Sequence, residues 1–330
     1  RAELQPAAAA PRGRMTLLGR SRPLQLLLLL LLAAAAALRV PGGRKPTGNR
    51  VAPRHATFTF GPVVEADEVW TTMRAEAEKS AAEEPLLVSF LHSTILNHNS
   101  LESAIAFHMA NKMASPSMIS TQVQALFMDA LNESENFRRS VRRDIRAVVE
   151  RDPATQTYMD VLLYFKGFHA LLAHRVAHKL WKNGRTVLAS FLHSQANSKF
   201  QIDIHPGARL GDGLFIDHGT GIVIGETVVV GQNVSILHHV TLGGSGRKNV
   251  DRHPKIGDNV LIGAGASILG PIDIGDSVVV GAGSMVQSHV APHTVVAGVP
   301  ARVIGKAAGK PSAEMKQEFN PGVNMDGMGI

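Results

Sequence analysis

The segment TLGGSGRKNVDRHPKIG, residues 241–257, crowds Arg247, Lys248, Asp251, Arg252, His253 and Lys255 into one short stretch. Arginine offers a planar fork for a carboxylate or phosphate, and a neighbouring histidine moves protons near neutral pH. The same composition also suits a solvated loop, and composition leaves both readings open. Other chemistry is easier to exclude. The chain has no cysteine, so disulfides, thiol catalysis and cysteine-held zinc are absent. His174 and His178 stand four apart, but no HExxH pattern or third ligand accompanies them. They read as ordinary helix residues rather than a metal site.

The elements that position the charged segment have a period of six. Aliphatic residues stand at Ile204, Leu210, Ile216, Ile222, Val228, Val234 and Val240, then at Ile256, Ile262, Ile268, Ile274, Val280 and Val286. Such a beat marks a hexapeptide β-helix, each hexad forming one side of a triangular coil with its aliphatic residue turned inward. Equivalent residues are expected eighteen positions apart. After Val240 the beat arrives ten residues late. A stacked prism cannot absorb an insertion, so those residues are expected to be extruded as a loop, where chemistry is often placed. Of the histidines in this half (His205, His218, His238, His239, His253, His289 and His293), no two within the unbroken repeat are one coil apart. That disfavours a zinc lyase built between coils.

Residues 65–200 read as a helical domain. Leu87, Phe90, Leu91 and Leu96 are expected near one helix face. Asn99 or Ser100 caps the next helix, and Asn99 with Glu102 has capping-box spacing. A helix is expected from Asp152 as N-cap, with Pro153 at its first position, to Gly184. Residues 1–64 hold ten of the 34 Arg and Lys and one of the 27 acids, so the formal charge of +7 arises there. The remainder is near neutral, which argues against a nucleic-acid footprint. This leader, with Met15 as a plausible start, is Arg-rich and almost free of acids, as organellar transit peptides are. Its Leu24–Leu38 run is also compatible with a secretory signal and is short for a membrane span. The fold class is therefore α+β: an all-helical N-terminal domain (65–200), a left-handed parallel β-helix with an extruded loop (201–305), and a flexible tail (306–330). The left-handedness comes from resemblance to known hexapeptide solenoids.

DIHPGARLGDGLFIDHGTGIVIGET (203–227), VSILHHVTLGGSG (234–246), DRHPKIGDNVLIGAGASILG (251–270) and AGVPARVIG (297–305) together resemble serine O-acetyltransferases. VRRDIRAVVERDPA and HRVAHKLWKNGR resemble that family's helical domain. The resemblance implies acetyl transfer from acetyl-CoA to the hydroxyl of L-serine, the first step from serine to cysteine. It implies His218 as general base, Asp203 as the carboxylate that orients it, and His253 as a second active-site histidine. Asp203 and His218 are fifteen apart, close to one coil. The serine carboxylate falls to Arg252 and the ammonium to Asp152 and Asp217, with Glu226 near the reacting centre. Acetyl-CoA, a cosubstrate with no tightly bound cofactor beside it, would lie along Gly243, Gly244, Ala264, Gly265, Ala282 and Gly283, its phosphates meeting Lys248 or Lys255. The family further implies a homotrimer or dimer of trimers and feedback inhibition by cysteine. It implies docking of a C-terminal Ile, here Gly329–Ile330, into O-acetylserine sulfhydrylase. Localisation in chloroplast or mitochondrion is expected, with cytoplasm or secretion as alternatives. Rival readings are a sugar acyltransferase, which gives no reason for the RDPA and DRHP segments, and a regulatory homologue acting through its tail.

Overall fold

The computed structural model describes residues 67–246 and 250–316. The leader, Lys248, Gly329 and Ile330 lie outside the described residues. The helices are α1 (Glu68–Glu83), α2 (Leu101–Met113), α3 (Ser120–Glu133), α4 (Glu135–Arg151), α5 (Tyr158–Tyr164), α6 (Lys166–Lys182) and α7 (Thr186–Phe200). Among the described residues, none is long and apolar enough to cross a membrane. Residues 85–96 do not form the single face expected of them. They wind through short 3-10, α and π turns, which bury Leu91 and leave Leu87 facing out. Ser100 rather than Asn99 caps α2, its hydroxyl accepting from the Ser103 amide at 3.3 Å.

Helix α4 starts where the Ser134 hydroxyl accepts from the Phe137 amide and buries Val141, Ile145 and Val148 at helical spacing. It ends at Asp152, because the residue before a proline is driven out of the α region. Asp152 is thus the C-cap of α4, not the expected N-cap of the next helix. Its carboxylate accepts from Ala154 N at 2.9 Å and Thr155 Oγ1 at 3.0 Å. The long helix expected from Asp152 is two, broken at the extended Phe165.

From Ile202 the chain coils into a left-handed parallel β-helix with three faces. The first face stacks Ile202–Ile204, Ile222–Ile224, Thr241–Gly243, Ser267–Leu269 and Met285–Val286. Two further faces of four and six strands start at Arg209–Leu210 and Phe215–Ile216, and the last strand, Ala301–Lys306, runs antiparallel. Inward aliphatics come in pairs two apart, such as Ile222 with Ile224 and Val234 with Ile236, all buried. Each is worth about 1.5–3 kcal/mol when fully buried.

The pairing register corrects the sequence count. Ile204 pairs with Ile224 and Ile216 with Ile236, twenty positions apart rather than eighteen. Ile224 with Leu242 is eighteen, Ile236 with Ile262 is twenty-six, and Ile256 with Ile274 is eighteen again. The ten extra residues are therefore split, two in the first coil and eight in the later loop. Because inward aliphatics come in pairs, Ile222 keeps the beat of six and hides the first insertion. Asp217 N donates to Ile236 O and His239 N to Thr220 O, so the two unpaired extras are His218 and Gly219.

The helices are fixed to the β-helix at close quarters. Gly167 of α6 lies so near the third face that a Cβ there would overlap the carbonyl oxygen of Ile216. Buried Asp144 of α4 accepts from Arg175 Nε at 2.8 Å and from the Leu214 amide at 3.0 Å, and burial pushes its carboxyl up to about 6. The beginning of the tail is docked, contrary to the expectation of a wholly flexible tail. A helical turn, α8 (Pro311–Glu314), buries Pro311 and Ser312, and the Ser312 carbonyl accepts from Ser235 Oγ at 2.8 Å. Buried Arg151 donates to the same Ser235 hydroxyl at 3.1 Å.

Candidate active site

Two corners bound the first face, and each carries part of the expected site. The corner entering the face holds Asp217, His218, Gly219, Thr220 and Gly221. His218 sits in the left-handed region at φ 55°, flanked by Gly219 at 73° and Gly221 at 74°. A Cβ on Gly219 would overlap Ile202 and one on Gly221 the His239 ring, so glycine is required at both. The inserted turn pushes the His218 side chain outward to 76% exposure, with Nε2 3.7 Å from Asp217 Oδ1. That is beyond hydrogen-bond range but inside ion-pair range. Burial pushes the Asp217 carboxyl up, His218 and His238 pull it down, and the nearby Asp152 charge pushes it up again. Asp152 is therefore near enough to Asp217 for its charge to be felt there. The His238 ring stands 5.8 Å from that of His218, and its buried Nδ1 has no hydrogen-bond partner.

The corner leaving the face holds Glu226, Thr227, Arg252 and His253. Arg252 donates to Glu226 Oε2 at 2.9 Å. His253 is only 6% exposed. Its Nδ1 accepts from the Thr227 amide at 3.3 Å and lies 2.9 Å from the Thr227 hydroxyl, so the neutral ring carries its proton on Nε2. Burial, then Arg252 and Lys255, hold its pKa below the ordinary range. A Cβ on Gly225 would overlap the ring, and one on Gly244 would sit 2.9 Å from Nε2. Lys255 donates to Thr227 O at 2.6 Å, Asp251 Oδ1 at 2.6 Å and His253 O at 3.0 Å. With its three donors engaged, Lys255 joins Thr227, Asp251 and His253 rather than standing free for a phosphate.

Asp203 departs from expectation. It lies mid-face, and within the chain no hydrogen bond joins it to His218. Its Oδ1 accepts instead from His193 Nε2 of α7 at 2.6 Å, and that bond holds its carboxyl below the usual range. A spacing of fifteen does not by itself bring the two side chains together in one copy of the chain, because the coil is twenty residues long and the insertion turns His218 outward. The small residues also divide. Thr220, His238, Ala264 and Ala282 form a column up the entering corner, linked by Gly265 N to His238 O at 2.9 Å and Gly283 N to Ala264 O at 2.7 Å. Gly243 and Gly244 lie toward the opposite corner, Gly243 against Leu269 and Gly244 beside His253. Among the described residues, no cluster of His, Asp and Glu is arranged to hold a metal ion.

The N-terminal serine acetyltransferase family pattern matches residues 69–173, and six bacterial transferase hexapeptide repeats match residues 253–288. A serine acetyltransferase of Salmonella typhimurium is 50% identical over 260 residues, 78% of this chain and 95% of the relative. The chain belongs to the serine acetyltransferase family. Among solved serine acetyltransferases, the soybean enzyme complexed with serine is 53% identical, with a TM-score of 0.70 over 72% of this chain and 97% of that one. The Brucella abortus enzyme in complex with coenzyme A is 48% identical, with a TM-score of 0.73 over 75% and 99%. A serine acetyltransferase in complex with cysteine is 44% identical, with a TM-score of 0.75 over 76% and 98%. Sequence reasoning missed three residues at the site of this serine acetyltransferase: His193 on Asp203, Thr227 under His253, and Lys166 at the Thr220 hydroxyl. No spacing rule links a helix residue to a strand residue, so His193 and Lys166 gave no signal. Thr227, directly after Glu226 in GET, was open to inspection.

Proposed function

We propose that His218 is the general base of serine O-acetylation. Its Nε2 takes the proton of the serine hydroxyl as that oxygen bonds to the thioester carbonyl carbon of acetyl-CoA. The carbon–sulfur bond then breaks, and the CoA sulfur leaves with the proton held by the imidazolium. Asp203 stabilises that imidazolium. Asp152 and Asp217 hold the serine ammonium. Arg252, freed from Glu226, takes the serine carboxylate, with His253 beside it. The column at Ala264, Gly265, Ala282 and Gly283 lies against pantetheine, and no tightly bound cofactor takes part.

The observation that carries this reading is an exposed His218 beside Asp217, on an insertion that leaves the prism intact. The two corners stand five residue steps apart along the chain, Gly221 to Glu226, roughly 16 Å when extended. One small amino acid cannot touch both, so a second copy supplies the missing half in a homotrimer or dimer of trimers. Cysteine competes at the serine site, Ile330 docks into O-acetylserine sulfhydrylase, and the Arg-rich leader directs the chain to chloroplast or mitochondrion. The test is CoA thiol release from acetyl-CoA with and without L-serine. Serine-dependent release that falls about 100-fold or more in His218→Ala is expected. Serine-independent release, or an undiminished variant, would reject the assignment.

A further inference from the structure

We propose that His193 is a positioning residue that holds Asp203 and, through its own charge, sets how much of that carboxylate is left to serve the catalytic histidine. The inference rests on Asp203 acting with His218. Helix α7 presents His193 and Asn197, one turn apart, to opposite oxygens of Asp203: Nε2 lies 2.6 Å from Oδ1, and Asn197 Nδ2 lies 3.5 Å from Oδ2. A carboxylate gripped at both oxygens by one rigid helix has its plane fixed, and catalytic carboxylates depend on such fixing.

The grip depends on charge. A neutral His193 donates one hydrogen bond and leaves the Asp203 charge whole. A protonated His193 forms an ion pair, which is roughly twice as strong and spends the same negative charge that would stabilise an imidazolium at His218. A pH series therefore reads whether the grip depends on charge, histidine being the side chain suited to gain a proton near neutral pH. The groups facing His193 are Asp203, the His205 ring at 6.0 Å, and buried His174 of α6, which feels its charge. Beyond His205 stand Glu226 and Arg252, both within reach of that ring's charge. His193 is half-buried, so protons reach it from solvent.

The experiment compares pH profiles of kcat and KM for the full chain, His193→Gln, His193→Phe and Asp203→Asn. Glutamine keeps a donor and removes the titration. His193→Gln is expected to stay within about threefold of the parent at pH 8 and to gain on it about threefold or more by pH 6. His193→Phe is expected to lose about tenfold in kcat, with both KM values and Tm unchanged. A His193→Gln to parent ratio that is flat with pH overturns the inference. So does a His193→Phe loss that glutamine fails to rescue, or one that tracks a fall in Tm. Collapse in Asp203→Asn with both His193 variants behaving as the parent defeats this inference alone. Full activity in Asp203→Asn defeats the role of Asp203 and this inference with it.

Discussion

The two corners of the first face depart from the hexad in opposite ways. The entering corner adds two residues and leaves its histidine 76% exposed, with no hydrogen bond to its ring among the described residues. The leaving corner adds eight and clamps its histidine to 6% exposure with Thr227, Gly225, Gly244 and Lys255. On the roles proposed above, the group that takes and returns a proton is left unbraced and exposed. The group that recognises a substrate is over-determined, as specificity depends on polar groups that cannot rearrange. The electrostatics differ too. At the entering corner Asp217 feels the charge of Asp152, whereas at the leaving corner each cation is already paired, Arg252 with Glu226 and Lys255 with Asp251.

The contrast can be broken by mutation. Gly225→Ala forces a methyl into the His253 ring and should cost about 100-fold in kcat/KM for serine. An overpacking penalty of about 1–3 kcal/mol should also appear as a lower Tm. His218→Ala, by contrast, should leave Tm within about 1 °C, as exposed substitutions do, and a comparable fall in both variants would erase the distinction. Thr227→Val removes the hydroxyl beside His253 Nδ1 and beneath Arg252 N. It should raise the KM for serine about tenfold while the KM for acetyl-CoA stays fixed, as steady-state kinetics at two varied substrates would reveal. The smallest effect is expected for Lys255→Met, which keeps the stem and removes three donors. A rise of about threefold in the KM for serine, with faster proteolysis of the loop, would place the clamp in the loop's ends.

Much of this was readable from residues alone, for identifiable reasons. Inward aliphatics recur because a prism must be filled, so the β-helix and its extruded loop follow from spacing. The smaller insertion was concealed by Ile222 and Ile224, both buried and two apart. Asp152 as a helix start was a reasonable reading of Asp-Pro, but the residue before proline favours an end as strongly as a beginning. The Asp203–His193 bond could not be read, because the placement of α7 against Ile202–Ile204 is set by tertiary packing that no sequence spacing encodes. Residue types announced the chemistry, while the assignment of each carboxylate to a histidine required coordinates.

His218 and Gly219 are a cassette. Excising both would join Asp217 to Thr220 and restore an eighteen-residue coil, with Ile216 above Ile236 and Ile222 above Val240. In a solenoid whose energy is summed over neighbouring coils, such an excision leaves every stacking term in place. The architecture therefore carries the proposed general base as a removable part, and on that assignment catalytic power and conformational stability can drift independently along this chain.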